Sequence, residues 1–337
     1  LDECLAMTPR DMAARSPHVT RAWAYLGKTA STIKDPDLRA KALAVLDTPA
    51  PTLLARMDGP ARTEVCQELT AKGYIKDAQA DSFLPPAASP KAAPQPFLSA
   101  PGSGYQSHHS YPGGLVTHTA ANLMISLAIF EAYQNVSGFA PDRDTVLVSQ
   151  LLHDLHKPWV FQWGPSGESR TEKPRAGTGE HHVLGVAESL VRGLPAPVVV
   201  AQACAHTHPG TEKDEAEVAG WLTAAAVLAG KDPVKAGLLA ADGKTLPLPR
   251  RVEGFITHLG DHDFVFTVPA AKWTIAAMRE VAETQYRLTG EDLAGAKFNA
   301  LRNYAFSQVT VEALYREYSL KGQEGLAAAV ARVVRPA

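Results

Sequence analysis

Nine of the twelve histidines fall between residues 108 and 208, and most lie on or beside apolar segments with helical spacing. Ala120, Leu123, Leu127 and Phe130 form a stripe following His118. Val146, Leu147 and Leu151 lead into the pair His153-Asp154, with Asp144 as the expected cap of that helix. A third helix is expected from Glu180 to Arg192, with His181-His182 at its start. Pro195 and Pro197 open a fourth, carrying Val199, Ala203 and His206 on one stripe. Asp242 closes the apolar run Leu238-Leu-Ala-Ala. A single buried histidine is more often a hydrogen-bonded core residue than a ligand. Four or five of them with two aspartates in one helical core are different, because buried polar groups without partners are costly unless they share a ligand. The pattern predicts an all-α fold built around a cation.

The rest of the chain divides around that core. Residues 1–84 read as short helices, with Leu38, Ala42, Val45 and Leu46 on one stripe and breaks at Pro49, Pro51 and Gly59-Pro60. Five prolines between Leu84 and Pro96 predict an extended linker over 85–104, since proline continues neither a helix nor a central strand. The metal-binding core is expected over 105–245, and a C-terminal, mostly helical region over 246–337. Only Phe264-Val-Phe-Thr-Val268 alternates like a strand.

Composition excludes several classes. The 45% apolar content and net charge of −2 rule out general disorder. With 33 basic against 35 acidic residues, the chain does not hold nucleic acid through its net field. The densest apolar run, Leu123 to Phe130, is eight residues long, so no bilayer-spanning helix is expected. Three cysteines, Cys4, Cys66 and Cys204, are too few for a disulfide scaffold, although Cys4 and Cys66 could pair in an oxidising compartment. Together with the start at Leu1 and the Ala/Pro-rich linker, that pairing leans toward an exported or periplasmic form over a cytoplasmic one.

Two local motifs add detail. His108-His109-Ser-Tyr111-Pro-Gly113-Gly114-Leu-Val-Thr-His118-Thr119 precedes the first helix, and Gly179-Glu-His181-His182-Val-Leu-Gly185 opens the third. With the His153-Asp154 pair, this order resembles the HD superfamily of metal-dependent phosphohydrolases, whose signature runs H…HD…H…H…D on a helical bundle. The first motif resembles the entry of the branch that includes 3′→5′ exoribonucleases. The likeness extends from His108 to Asp242. It implies an HD-type bundle with metal ligands His118, His153, Asp154, His181, His206 and Asp242. His156 stands where the family often has glycine, while Lys157 keeps the family's lysine. Spacing to Gly185 favours His181, the helical stripe favours His182, and His206 is the better ligand of the pair His206 and His208. Asp214 or a carboxylate in 215–217 could replace Asp242.

A site rich in histidine and carboxylate, without thiolate, suits one or two divalent ions of Fe, Mn, Co, Ni or Zn. The resemblance implies a phosphohydrolase or phosphodiesterase acting on a small phosphate ester, a nucleotide among the candidates, through a metal-activated hydroxide. Asp154 would bridge two ions, Lys157 would neutralise a phosphate oxygen, and His109 or His108 would contact substrate or protonate the leaving group. Trp159, Phe161 and Trp163 either pack the following loop or stack on a base. A protein partner is not legible. Two other readings fit the same residues: an HD-type di-iron oxygenase, and a non-catalytic sensory or binding module with a structural metal. The second His-Asp cluster, His258 to Asp263, reads as turn chemistry or as a loop folding over the main site.

Overall fold

The computed structural model describes residues 1–76, 78–139, 141–248 and 252–337. The N-terminal region holds α1 (Asp2–Ala6), α2 (Pro9–Arg15), α3 (Pro17–Ala30), α4 (Pro36–Asp47) and α5 (Gly59–Ala71). The middle holds α6 (Gly114–Ser137), α7 (Arg143–Leu152), the single turn α8 (Lys157–Val160), strands β1 (Pro174–Arg175) and β2 (Thr178–Gly179), α9 (Glu180–Val191), α10 (Ala196–Ala203) and α11 (Glu212–Ala229). The chain ends with α12 (Val252–Gly260), α13 (Phe264–Tyr286), α14 (Ala296–Val309) and α15 (Val311–Ala331). The class is all-α, as expected, with two short strands paired in one hairpin.

Helix α6 is the axis. It packs on α3, α7 and α12, while α7 also meets α10 and α12, and α9 lies along α11. One apolar cluster runs from Ala13 in α2 through the middle helices to Leu246, so the N-terminal helices and the histidine-bearing helices share a core. A second cluster joins Cys4 and Tyr111 to the C-terminal helices, from Ala271 to Val334. By length and composition α6 could cross a bilayer, with 24 residues and a mean hydropathy of 1.3. Half of its apolar stretch is buried in the fold, and it carries the buried His118 and Asn122, so it is a core helix and no clear transmembrane segment emerges.

Residues 85–104 contain no α-helix, but they are not a free tether. Phe97 and Ala100 are buried. Trp159 Nε1 and Gln162 Nε2 donate to the Pro86 carbonyl at 3.2 and 2.7 Å, and Trp163 Nε1 donates to the Ser99 carbonyl at 2.9 Å. A buried indole needs an acceptor, and the proline-rich strap supplies it. The aromatic residues after His153-Asp154 therefore fasten the strap, and Phe161 alone of the three lines the central cleft.

Three local expectations change. Phe264–Val268 is the first turn of α13 and not a strand. The helical signal lies downstream, where Thr267, Ala270, Ala271, Thr274, Ile275 and Met278 are buried at helical spacing, while Val265 and Phe266 face outward. Helix α7 is capped by Asp142, whose carboxylate accepts from Thr145 N at 2.6 Å. Asp144 is buried and accepts from the backbone amides of Lys34 and Asp35, tying the N-terminal helices to α7. The three cysteines are free and buried, with Cys4 in the C-terminal cluster and Cys66 in the main one, so the Cys4–Cys66 bond is not made.

Candidate metal centre

The site forms where the ends of four helical segments meet the hairpin. His118 lies in the second turn of α6, after a turn in which Gly113 has φ 88°. A Cβ on Gly114 would stand 1.8 Å from the His109 carbonyl, so this crossing of the chain requires glycine. His153 caps the C-terminus of α7, and Asp154 follows it. His181 is in the first turn of α9. His206 lies three residues beyond α10, not on it, because that helix ends at Ala203.

Asp242 does not join these residues. It is exposed, and its carboxylate accepts from Lys244 N, Thr245 N and Thr245 Oγ1 in a surface turn. Those bonds hold its pKa below the usual carboxylate value. The carboxylate that enters the site is Asp261, immediately after α12 and 6% exposed. Gly260 brings it in, since a Cβ there would meet Ser126 Oγ at 1.9 Å. Asp261 belongs to the His258–Asp263 cluster read above as turn chemistry. The signal that finds it is the buried stripe Glu253, Ile256, Thr257 and Gly260 leading directly into an aspartate.

Among the described residues three groups have ligand atoms within 4.8 Å of one another: His118, His153 and Asp261; Asp154, His181 and His206; and, at the edge of the first, His108, His109 and His118. The two aspartates span the first two groups. Asp154 Oδ2 lies 3.2 and 3.1 Å from Nε2 of His118 and His153, and its Oδ1 lies 3.5 Å from His181 Nε2. Asp261 Oδ1 lies 3.2 Å from Nε2 of both His118 and His153, and its Oδ2 lies 3.9 Å from His206 Nε2. Asn122 Nδ2 donates to Asp261 Oδ1 at 2.7 Å.

Of the two open pairs, His181 and His206 are the members that reach the site. His182 is buried, donates Nε2–H to the Ala203 carbonyl at 3.0 Å and stacks on His206 at 4.2 Å. His208 stacks on Phe255 at 5.3 Å, and its Nδ1 accepts from Gly210 N. Lys157, at the start of α8, is buried, with Nζ on Asp154 and the Gly102 carbonyl. His109 is also buried, with φ 52°, and its Nε2 lies 3.3 Å from Glu312 and 3.7 Å from Asp263. His108, not His109, lines the cleft. Asp263 reaches His118 Nδ1 at 3.2 Å. His156 is buried 3.3 Å from Glu188 and edge-on to Trp159.

The electrostatics favour a cation. Burial alone would lower the pKa of His153, but Asp154 and Asp261 outweigh it and raise it to about 9. His118 is raised in the same way, by Asp263 and by its bonds to Asp154 and Asp261 against burial and Lys157. Burial would raise Asp154 and Asp261, yet the surrounding cations, His153 foremost, hold both well below the ordinary carboxylate value. On the other side, burial together with His182 and His181 drives His206 well down, so its imidazole is neutral and suited to ligation. Asp154 Oδ2 is held by the Lys157 ammonium and faces His118 and His153, while Asp154 Oδ1 and His181 Nε2, 3.5 Å apart, are buried without a hydrogen-bond partner. Such atoms are expensive unless a shared ion satisfies them. The donor set, imidazole nitrogen with carboxylate oxygen, could therefore bind metal ions.

A cleft of about 560 Å³ opens onto these groups. Its walls include His108, His118, Lys157, His181, His206 and Asp261, with the rings of Tyr105, Phe161 and Phe264 around them. Tyr105 is fixed by a 2.8 Å bond from its hydroxyl to Asn299 Oδ1 and by the Arg302 guanidinium 4.8 Å from its ring centre.

Comparison with known proteins gives one informative likeness. A curated dihydroneopterin 2′,3′-cyclic phosphate phosphodiesterase of Methanocaldococcus jannaschii is 30% identical over 107 residues, 29% of this chain and 39% of the relative. The chain thus spans well under half of that relative's length. No family model matches the chain. No solved structure matches it either. Similarity to a phosphodiesterase and the buried His/Asp groups both fit a metal-dependent phosphohydrolase.

Proposed function

We propose that this chain is an HD-type, metal-dependent phosphohydrolase of the phosphodiesterase class, with two cations held between Asp154 and Asp261. One observation carries this reading: each aspartate faces one histidine pair with one oxygen and a member of the other pair with its second. His118, His153 and Asp261 would hold the first ion, His181 and His206 the second, and Asp154 would bridge them. When bound, such ions supply Lewis acidity toward phosphate oxygens and lower the pKa of water toward neutrality.

The chain's own residues do the rest. Lys157 adds a fixed positive charge at the floor of the cleft, where it holds Asp154 in place and neutralises phosphate charge. His108 faces the cleft, where burial and the neighbouring His118 and His109 hold its pKa well below the usual value, so it would contact substrate as a neutral imidazole, with His109 behind it and the two Nδ1 atoms 3.2 Å apart. The small volume and the rings of Tyr105, Phe161 and Phe264 suit a compact phosphoester carrying a flat heterocycle, a nucleotide or cyclic phosphate among them. The relative's cyclic-phosphate chemistry supports the same class.

The test is metal analysis joined to a phosphoester panel. Reconstituted protein should hold two transition-metal ions per chain and hydrolyse a phosphodiester or 2′,3′-cyclic nucleotide, and Asp154→Ala should abolish both properties. Fewer than two ions per chain would overturn the two-cation reading, and less than one ion, or unchanged hydrolysis in Asp154→Ala, would overturn the metal-dependent phosphohydrolase as well. Two irons in a coloured, oxygen-consuming protein inert toward phosphoesters would favour the oxygenase instead.

A further inference from the structure

The two halves of the centre are oriented by different parts of the chain. On the first side, His153 donates Nδ1–H to the Gln150 carbonyl at 2.7 Å, which fixes its ring from within α7. His118 presents Nδ1 to Asp263 at the start of α13. On the second side, both contacts come from one short segment, residues 170–180. His181 donates Nδ1–H to Glu172 Oε2 at 2.6 Å, and His206 Nδ1 lies 3.0 Å from Thr178 Oγ1. Each contact leaves Nε2 as the free atom on the Asp154 or Asp261 side.

That segment is built to stay in place. It contains the hairpin of β1 and β2, with Glu172 in the stretch leading into β1, Arg175 opposite Thr178 and a two-residue turn at Ala176-Gly177, φ 50° and 81°. Its tip is tied at both backbone groups, Ala176 N to the Tyr74 carbonyl at 2.7 Å and Trp221 Nε1 to the Ala176 carbonyl at 2.9 Å. Its base is held by the buried Glu180, which accepts from Arg170 Nη1 at 2.6 Å and Lys173 N at 3.1 Å. None of these anchors touches His118, His153 or Asp261.

We infer that this hairpin is a dedicated positioning element for the second cation, with Glu172 and Thr178 as its working residues. They select the imidazole tautomers and ring angles of His181 and His206, as carboxylate and hydroxyl partners of metal-bound histidines do. The inference rests on the two-cation reading above. It implies that the second cation can be lost without the first, which makes the hairpin the point where the metal count of the site is set.

The experiment is equilibrium dialysis of the full chain against buffered Mn²⁺, with bound metal counted per chain and folding followed by circular dichroism. Wild type should bind two ions. The double variant Glu172→Ala/Thr178→Val should keep one at wild-type affinity and bind the other about 10- to 100-fold more weakly. Glu172→Gln and Thr178→Ser, which keep an acceptor in place, should recover most of the loss. Should the double variant fail to fold, Thr178→Val alone replaces a hydroxyl by a methyl and should weaken the same single ion. Two ions retained at unchanged affinity in a folded variant would overturn the inference and leave the two-cation reading intact. Equal weakening of both ions would also overturn it. Wild type binding fewer than two ions would sink the two-cation reading itself, and the inference with it.

Discussion

Exchanging the two aspartates that compete for the last ligand position gives the sharpest test of the centre. Asp261→Asn removes a charge whose Oδ1 stands 3.2 Å from the ligand nitrogens of both His118 and His153. At that distance and an effective dielectric of about 20, one unit charge interacts with another by about 5 kcal/mol. Desolvation offsets part of this, since the carboxylate is buried in either state. A loss of two to three decades in metal affinity is therefore expected, by the rule of about 1.4 kcal/mol per decade. Asp242→Asn removes a charge from a surface turn and should leave metal content unchanged. The assay is bound metal per chain after dialysis at micromolar free metal, with hydrolysis of bis(p-nitrophenyl) phosphate alongside. Asp261→Asn should emerge depleted and inactive, and Asp242→Asn should match wild type. A depleted Asp242→Asn beside a fully loaded Asp261→Asn would refute the reasoning and return the last ligand to Asp242.

Further outcomes follow from the packing around the site. Glu188 accepts from Thr52 N and Oγ1, Leu53 N and Arg192 Nε. Burial alone would raise its pKa, but His156, Thr52 and Arg192 outweigh that and hold it at about 2 against an ordinary 4.5. A carboxylate lowered in the folded state adds stability above its unfolded pKa and loses it as pH falls from about 4.5 toward 2, here about 3 kcal/mol. The melting-temperature gap between wild type and Glu188→Gln should accordingly be wide at pH 7 and narrow toward pH 3; a gap independent of pH would contradict this. At the hairpin tip, Ala176 holds φ 50°, a conformation that asparagine tolerates better. Ala176→Asn should leave stability unchanged or raise it by up to about 1 kcal/mol, and a clear drop in melting temperature would show that the turn is held by contacts other than its own backbone. Thiol titration of unreduced, denatured protein should count three free thiols, and a count of one would restore the Cys4–Cys66 bond that the structure lacks.

How much of this was legible in the sequence depends on the distance over which each residue is placed. The all-α class, α6, α9 and the His153-Asp154 helix end follow from apolar periodicity, which acts within a few turns. The histidine and aspartate pattern marks His118, His153, Asp154, His181 and His206, and the structure brings these five together. Asp261 was missed because its neighbours His258, Gly260 and Asp263 read equally well as a turn, and only the packing of Gly260 on Ser126 in α6 aims it inward. Phe264–Val268 read as a strand because five residues are too few to distinguish a period of 2 from one of 3.6 when the outward residues are also apolar. Glu172, Thr178 and Glu312 could not be found by spacing, since each reaches its histidine through tertiary contact.

The nearly 200 residues outside 105–245 have a physical part in the site. A His/Asp cluster packed against helices carries charges that repel in some protonation states, so its geometry must be held from outside. The N-terminal helices do this at α7 through Asp144 and at α9 through Glu188, and Val19 fills the space in front of Gly113 beside the His118 helix. The C-terminal region goes further, because Asp261 and Phe264 in the cleft wall come from it. Its helices α14 and α15 then hold the loops opposite: Asn299 and Asn303 take the Ser166 and Gly167 carbonyls, Asn299 also takes the Tyr105 hydroxyl, and Glu312 faces His109. Cutting the chain at 245 would remove Asp261, a ligand in the proposed reading, and the Asn299 and Glu312 contacts to Tyr105 and His109. The histidine-rich segment supplies most of the proposed ligands, and the C-terminal region adds Asp261 and Phe264 to the same cleft and packs against its loops.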